Sequence, residues 1–497
     1  MTDDVIKNPD IFAESRCAGY GDDSPIAAFA TSPGNSALTL IRCSGNGSIE
    51  LVSSLFSSNK LLNALGSTVV HGRIVKLGET IDEVLVSVFR APKSYTGEDS
   101  LDICCHGGLS VGKAVMTVLN ETGFRGALPG EFTFRAFMNG KIDLTRSESV
   151  MELVSAKTET GRKRAVSRLS GSLEKEIREI KNQLVHVLAS AEIYLDYSDD
   201  EVSADNKEEI NGTLPNRGIA INALSRLEKL SATWRMERVY QEGVTLVIAG
   251  RPNAGKSSLF NLLLKEDRSI VTEIPGTTRD WIEAWVSIDG IPVRLIDTAG
   301  LRETSDSVEK IGVDRSLNLL KEADIVLYLI DGMGSGEREA GNWEEEINSE
   351  IAGIRNVRDI KSVLILWSKC DLNPPPDKFT SLDCAPICVS AKTGAGLDEL
   401  YAAIIETIKK LAAGGSDFQL FDNGCAALGT ARQKKLVDAA CRALEDALAM
   451  TEQEKNEPLD LIAPLLREAV NALGEITGEV STADILEEMF SKFCVGK

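Results

Sequence analysis

The 497-residue chain has no apolar run long enough to span a bilayer, and residues 1–10 are acidic and lack the apolar core of a secretion signal. Basic residues are also in deficit, because 54 Lys and Arg face 75 Asp and Glu, a net charge of −21. This deficit argues against a large basic surface for nucleic acid, so any RNA contact must be local. The two absences predict a cytoplasmic protein without a membrane partner.

The ten cysteines are scattered, which favours reduced thiols over a disulfide framework. Residues 104–106, Cys-Cys-His, are the best candidates for zinc binding. Adjacent residues of a strand point to opposite faces, however, and no second pair is suitably spaced, so a metal there is disfavoured. The sequence shows no internal repeat, and its length suggests about three domains of ordinary size.

Residues 245–261, TLVIAGRPNAGKSSLFN, form the most informative stretch. An apolar run ends in Gly250, four residues follow, and Gly255, Lys256 and Ser257 then enter a helical pattern. In such a loop, backbone N–H groups wrap the β-phosphate, the lysine reaches the β- and γ-oxygens, and the hydroxyl binds Mg²⁺. A nucleoside triphosphate is therefore the predicted ligand.

Downstream elements indicate which nucleotide is bound. Residues 281–288 and 291–296 are predicted strands of a hairpin, and Asp297 follows the second strand, where it could hold Mg²⁺ through water. After the apolar strand 362–367, Asp371 could accept two hydrogen bonds from guanine that adenine does not offer in this arrangement. In this order the elements resemble the GTPase branch of the phosphate-loop proteins, with residues 275–280 as the first switch.

The predicted GTP-binding residues fall in the phosphate loop, the first switch, the segment after the hairpin and two loops on the base side. They are Asn253, Ala254, Gly255, Lys256, Ser257, Ser258, Thr272, Glu273, Ile274, Pro275, Gly276, Thr277, Thr278, Asp297, Thr298, Ala299, Gly300, Ser368, Lys369, Asp371, Ser390, Ala391 and Lys392. Ser257 and Thr278 are the expected magnesium ligands.

Leu301 follows Gly300, at the place where signalling GTPases usually have a glutamine that orients the attacking water. A leucine cannot orient water, so hydrolysis must recruit another polar group. Residues 302–309 supply several carboxylates in what is predicted to be a mobile second switch. The alternative is a solvated acidic loop, and these residues alone favour that alternative.

The segments on either side of the GTPase motifs differ from them. Residues 24–140 mix short β-rich runs with glycine-rich turns, whereas helical periodicity fills residues 147–196 and returns from residue 430. The predicted fold is therefore multidomain α/β, with an N-terminal α+β domain (1–140), an all-α helical domain (141–241 and 412–497) and an inserted Ras-like phosphate-loop GTPase domain (242–411). Within the last of these, residues 334–354 look like an acidic surface insertion.

The chain ends in Cys494-Val495-Gly496-Lys497, in which Gly and a terminal Lys are wrong for prenylation. The segment could be a catalytic or ligand-positioning tail, although the tail alone favours a frayed terminus. Together with residues 33–42, 95–98, 106–108 and 128–145 and the inserted GTPase domain, it resembles the MnmE (TrmE) family of tRNA-modification GTPases.

The resemblance implies a homodimer whose N-terminal domain dimerises and binds a tetrahydrofolate derivative. It also implies a partner, an FAD-containing MnmG-type protein. Together the two add an aminomethyl or carboxymethylaminomethyl group to carbon 5 of the wobble uridine of tRNA. A different class of function stays open, namely a GTP-dependent RNA-binding ribosome assembly factor. Such factors usually append a basic RNA-binding module, whereas this chain ends acidic and carries the cysteine tail.

Residue roles follow from the same resemblance. The implied folate-binding residues are Arg42, Glu98, Lys141 and Lys497, and Cys494 is the implied catalytic thiol. Arg42 lies within an apolar strand, where a guanidinium needs an anionic partner, and the glutamate tail of a folate would supply one.

Hydrolysis in the family requires a potassium ion in the place of an arginine finger. The implied potassium ligands are Asn253, Thr272, Ile274 and Thr277. Glu309 matches the residue that orients water, and this reverses the preference for a solvated acidic loop. Ser368 stands where the family normally has Asn, so the loss of an amide predicts weaker nucleotide binding.

Overall fold

The computed structural model describes residues 20–32, 34–196, 214–266, 282–297, 320–331, 343–355, 362–375, 385–413, 426–453, 459–480 and 482–496. Residue contacts divide the chain into two compact units. The first comprises Met1–Met151, Leu173–Ser225 and Leu436–Lys497, and the second comprises Glu152–Ser172 and Arg226–Lys435.

Strands and helices are numbered separately in chain order. The strands are β1 Ile26–Phe29, β2 Leu38–Ser44, β3 Thr68–Lys76, β4 Glu79–Phe89, β5 Ser100–His106, β6 Arg125–Gly126, β7 Val244–Gly250, β8 Ile282–Ile288, β9 Ile291–Asp297, β10 Ile325–Asp331, β11 Ser362–Ser368 and β12 Ile387–Val389. The helices are α1 Ser48–Ser54, α2 Leu109–Thr122, α3 Glu131–Met138, α4 Leu144–Ser155, α5 Glu159–Leu169, α6 Ser172–Asp196, α7 Arg217–Glu242, α8 Lys256–Glu266, α9 Trp343–Arg355, α10 Leu397–Ala413, α11 Ala431–Gln453, α12 Leu459–Thr477 and α13 Ala483–Ser491.

The first unit contains a six-stranded sheet in the order β3-β4-β5-β2-β1-β6. Every neighbouring pair is antiparallel except β1 and β6. Alternate residues of the strands, such as Val86 and Ile103, are buried together with Val115 and Leu119 of α2, as the two-residue period of a strand requires. The predicted α+β domain is confirmed.

The second unit contains a sheet in the order β12-β11-β10-β7-β9-β8, parallel except for β8. Leu263 of α8 and Ile404 of α10 belong to one core cluster of this sheet, and Ile351 of α9 belongs to another. Asp289 and Gly290 join β8 to β9 with φ angles of 51° and 77°. Positive φ at both positions is the mark of a type I′ turn, so the predicted hairpin is confirmed.

Helix α9 corrects the interpretation of residues 334–354 as a surface insertion. Residues 343–354 lie in α9, where Ile347 and Ile351 are buried in a core cluster that includes Trp367 of β11. Two isoleucines four residues apart lie on one stripe of a helix, and the surrounding acidic residues hid that stripe in the sequence. Residues 334–342 lie outside the described residues.

The helical segments predicted at residues 147–196 and from residue 430 are confirmed as α4 to α6 and α11 to α13, and α7 is a further helix between them. Buried residues recur every three or four positions, as in Ile177, Ile180 and Leu184 of α6. Among the helices of the described ranges, none combines the length and the apolarity that crossing a membrane requires.

Candidate functional site

The predicted phosphate loop connects the end of β7 to the start of α8. Gly250 has a φ of 139°, and a Cβ there would lie 2.5 Å from the carbonyl oxygen of Leu329. Asn253 and Gly255 also have positive φ, at 63° and 91°. Lys256 Nζ donates to the carbonyl oxygens of Gly250 and Arg251 at 3.0 and 2.9 Å. The loop ends where α8 begins, and the backbone N–H groups at a helix N-terminus attract anions.

A hydroxyl and a carboxylate meet beside this loop. Ser257 Oγ donates to Asp297 Oδ2 at 2.7 Å, and Asp297 is fully buried at the end of β9. Hydroxyl and carboxylate oxygens are hard ligands of the kind that Mg²⁺ prefers. The pair therefore fits a magnesium ion.

Two loops on the base side are tied together by hydrogen bonds. Ser390 Oγ donates to Asp371 Oδ1 at 2.7 Å and accepts from the backbone N–H of Lys392 at 3.3 Å. Ala391 lies between these two residues. Asp371 is thus oriented by the residue that opens the second loop.

Lys369 connects the base side to the phosphate loop. Its Nζ donates to the carbonyl oxygen of Asn253 at 2.8 Å and pairs with Asp331 Oδ2 at 3.0 Å. Sequence reasoning missed Asp331, although a carboxylate at the end of a buried strand next to the phosphate-loop strand is a usable signal. Ser368 is only 5% exposed, and its hydroxyl donates to the carbonyl oxygen of Ile330 at 2.9 Å.

Several predicted site residues lie outside the described residues. They are Thr272, Glu273, Ile274, Pro275, Gly276, Thr277, Thr278, Thr298, Ala299, Gly300, Glu309 and Lys497. Their roles stay predictions.

In the first unit, Arg42 has an internal anionic partner. Its Nε lies 3.0 Å from Asp102 Oδ1 on the neighbouring strand β5, and the rings of Tyr95 and Phe132 each lie 6.0 Å from its guanidinium carbon. The anionic partner that Arg42 needs is therefore supplied by the protein itself, and the role of Arg42 in folate binding stays a prediction. The cross-strand register places Asp102 opposite it.

Glu98 and Lys141 lie in the same part of this unit. Glu98 accepts a hydrogen bond from Ser44 Oγ at 2.8 Å, and both its carboxylate oxygens lie 3.2 Å from Arg135 Nη1 of α3. Lys141 Nζ donates to the carbonyl oxygen of Pro92 at 2.8 Å. Phe132, which lies beside Arg42, and Arg135, which pairs with Glu98, both belong to α3. This helix therefore contacts both of these predicted folate-binding residues.

The C-terminal segment is held against the start of α3. The N–H of Gly130 donates to the carbonyl oxygen of Cys494 at 3.2 Å, and Phe490 packs its ring against Phe134 at 5.4 Å between centroids. Gly496 has a φ of 94°, and a Cβ there would lie 2.3 Å from the carbonyl oxygen of Phe29. A frayed end is therefore wrong for residues 490–496, and the exposed Cys494 is positioned by the N-terminal domain.

Among the described residues, no group of three or more His, Cys, Asp and Glu side chains could hold a metal ion. Cys105 of β5 is buried, and His106 is exposed on the opposite face. Burial raises the pKa of the Cys105 thiol to about 11. At neutral pH this buried thiol is therefore protonated.

A sheet that is parallel except for its edge strand, a phosphate loop at a helix N-terminus, a serine–aspartate pair beside it and Asp371 on the base side define a phosphate-loop GTPase. The chain is a GTP hydrolase. Two family models match it: the one described as the MnmE helical domain over residues 144–494, and the one described as the GTP-binding protein TrmE N-terminus over residues 25–141. The chain belongs to the MnmE (TrmE) family.

Relatives are similar over nearly the whole chain. The tRNA modification GTPase MnmE of Treponema denticola is 42% identical over 490 residues, which cover 96% of this chain and 99% of that protein. The protein with the same description from Borrelia recurrentis is 40% identical over 487 residues, covering 96% and 99%. The relative from Carboxydothermus hydrogenoformans is 39% identical over 484 residues, covering 96% and 100%.

Proposed function

We propose that this chain is a potassium-dependent GTPase that, with an FAD-containing partner, adds an aminomethyl or carboxymethylaminomethyl group to carbon 5 of the tRNA wobble uridine. Membership of the MnmE family supports the tRNA substrate. The observation that carries the chemical part of the proposal is the held C-terminal segment, which keeps Cys494 beside α3. The same helix contributes Phe132 and Arg135 to the surroundings of Arg42 and Glu98.

In the nucleotide site, Lys256 binds the β- and γ-phosphate oxygens and the phosphate-loop N–H groups wrap the β-phosphate. Asp371 accepts hydrogen bonds from guanine, and Ser390 orients its carboxylate. The remaining residues of the predicted GTP-binding set lie in the phosphate loop, the first switch, the segment after β9 and the two loops on the base side. Glu309 orients the attacking water, because Leu301 cannot.

Two cations complete this site. Ser257 and Thr278 hold Mg²⁺, which neutralises charge on the phosphates. Asn253, Thr272, Ile274 and Thr277 hold K⁺, and the left-handed backbone of Asn253 supports a special role for that residue. A comparison of turnover in potassium and sodium tests this part. Equal rates in both salts would reject it.

In the N-terminal domain, Arg42, Glu98, Lys141 and Lys497 bind a tetrahydrofolate derivative. The exposed ring of Tyr95 beside Arg42 supports a flat ligand, because it offers apolar surface next to a cation. The proposed domains are residues 1–140, 141–241 with 412–497, and 242–411. A homodimer formed through the first of these is part of the proposal.

Mass spectrometry of tRNA nucleosides from a strain lacking this protein tests the function directly. We expect the modified wobble uridine to disappear and to return with the wild-type gene. Cys494→Ser should hydrolyse GTP at the normal rate and fail to restore the modification. Unchanged wobble uridine in the deletion strain would instead favour the ribosome assembly factor.

A further inference from the structure

Arg251 is the second residue of the phosphate loop, and the proposed nucleotide site gives it no role. Its side chain reaches α9, where Nε and Nη2 lie 2.8 and 2.6 Å from Glu350 Oε1. Nη2 also lies 3.0 Å from Glu346 Oε2. One guanidinium is therefore held by two carboxylates that are four residues apart on one helix.

The carboxylates sit on a firmly seated element. Glu350 accepts a hydrogen bond from the hydroxyl of Tyr328, a buried residue of β10. Burial, followed by the contact with Glu350, raises the pKa of Tyr328, so that this hydroxyl keeps its proton. Since Ile347 and Ile351 anchor the same helix in the core, Glu350 is a fixed point of attachment.

The loop itself needs such fixed points. Asn253 has a φ of 63°, which L-residues with side chains rarely adopt and which persists only where the surroundings enforce it. Three ties enforce it: the Arg251 side chain on α9, the hydrogen bond from Lys369 to the Asn253 carbonyl, and the fully buried Ala254. Ordering a loop before its ligand arrives removes part of the entropic cost of binding.

We propose that Arg251 is a positioning residue, which acts through Glu350 and Glu346 to hold the phosphate loop ready for nucleotide and does not itself contact the phosphates. The proposal rests on the proposed phosphate-binding role of this loop. It also gives α9 a function, since Glu346 and Glu350 of this acidic helix hold the phosphate loop. The side chains of Arg251, Glu350 and Glu346 are 32%, 39% and 52% exposed. Solvent therefore weakens these ion pairs, and we expect a moderate effect on nucleotide binding.

A double-mutant cycle tests the proposal on the full-length chain. The variants are Arg251→Gln, Glu350→Gln and the double variant, and the readout is the affinity for fluorescent GDP and GTP. We expect each single variant to weaken both nucleotides by about fivefold, the size of a partly exposed ion pair. The double variant should be no weaker than Arg251→Gln alone, because both changes break the same tie.

If Arg251 contacted the phosphates directly, the variants would change nucleotide affinity in a different way. In that case Arg251→Gln would weaken GTP more than GDP, and Glu350→Gln would bind both at wild-type affinity. Either observation would overturn the proposal, as would losses that add in the double variant. Arg251→Lys should recover only part of the affinity, because an ammonium cannot reproduce the forked contact.

Two control variants accompany the double-mutant cycle. Lys410→Gln removes an exposed ion pair with Glu406 on α10 and should leave nucleotide affinity unchanged. Lys256→Ala distinguishes a failure of the positioning role of Arg251 from a failure of the phosphate-loop assignment. If it abolishes binding while Arg251→Gln is harmless, only the positioning role fails, whereas unaltered binding in Lys256→Ala would reject the phosphate-loop assignment itself. Glu350→Gln keeps the side-chain shape, so it tests the tie even if Arg251→Gln folds poorly.

Discussion

Lys256 of the phosphate loop and Arg42 of the N-terminal domain make hydrogen bonds to different kinds of acceptor. In the phosphate loop, Lys256 donates to two backbone carbonyl oxygens, which carry no net charge. In the N-terminal domain, Arg42 pairs with Asp102 and Arg135 pairs with both Glu131 and Glu98. The partners of these two arginines are carboxylates of the protein itself.

This difference bears on how each site takes up an anion. A phosphate can replace the neutral carbonyl oxygens around Lys256 with anionic acceptors, so that the ammonium gains a charge–charge attraction. An anion at Arg42 must share the guanidinium with Asp102 or displace it, and breaking such a pair leaves a carboxylate uncompensated. We therefore expect charge to dominate nucleotide binding, and the exposed ring of Tyr95 to contribute much of the binding in the other site.

The largest effect should come from Lys256→Ala. Loss of two charge-assisted hydrogen bonds to phosphate should weaken GTP by about a hundredfold, which corresponds to about 3 kcal/mol. Calorimetric titration with GTP measures this loss. The same variant should bind 5-formyltetrahydrofolate as the wild type does, and weakened folate binding would break the separation between the two sites.

A large effect on stability is expected at Glu131, which is fully buried between Arg125 and Arg135 at 2.6 and 2.9 Å. Glu131→Gln turns an acceptor of two guanidinium groups into an amide, so the free energy of unfolding should fall by about 3 kcal/mol. Urea titration followed by circular dichroism measures the change. Glu50→Gln on the exposed side of α1 is the control and should stay within about 0.5 kcal/mol of wild type. An equal loss in both variants would show that burial of the carboxylate is irrelevant.

A smaller effect, on folate affinity, is expected at Arg42, and removing the charge of its partner Asp102 should not weaken folate binding. Arg42→Ala should weaken 5-formyltetrahydrofolate by about tenfold, the size of one charged hydrogen bond. Asp102→Asn should bind it at least as tightly as wild type, because the guanidinium then loses its competing anion. If Asp102→Asn binds as poorly as Arg42→Ala, the ion pair itself forms the site and the competition between anions does not exist.

Local patterns predicted the elements that are local in sequence. The type I′ hairpin at Asp289 and Gly290 follows from two adjacent residues, and the start of α8 follows from the phosphate-loop spacing. The partner of Arg42 is 60 residues away and depends on the register of β2 against β5, which no local pattern specifies. The ion pair between Arg251 and Glu350 spans 99 residues, and no local pattern specifies it either.

The smallest effect is expected at Ser368. The resemblance to the family predicts weaker GTP binding, because the Asn that the family normally has would supply an amide that contacts guanine and braces the phosphate loop. In the structure, Lys369 already donates to the carbonyl oxygen of Asn253, and the Ser368 hydroxyl is satisfied by Ile330 at a position only 5% exposed. The bracing contact thus comes from the neighbouring residue, and a larger side chain at 368 would have to displace a hydrogen bond that is already made.

We therefore expect Ser368→Asn to change GTP affinity by no more than about twofold, since one hydrogen bond replaces another of similar strength. Lys369→Met removes the existing brace and should weaken GTP by about fivefold, the size of a partly exposed charged contact. Titration with fluorescent GTP compares the two variants and their combination. If Ser368→Asn tightens GTP by about tenfold, the brace from Lys369 is not equivalent to the amide, and the nucleotide site of this chain is weakened as its sequence suggests. If the combination restores wild-type affinity, the two residues are alternative means of holding the same loop.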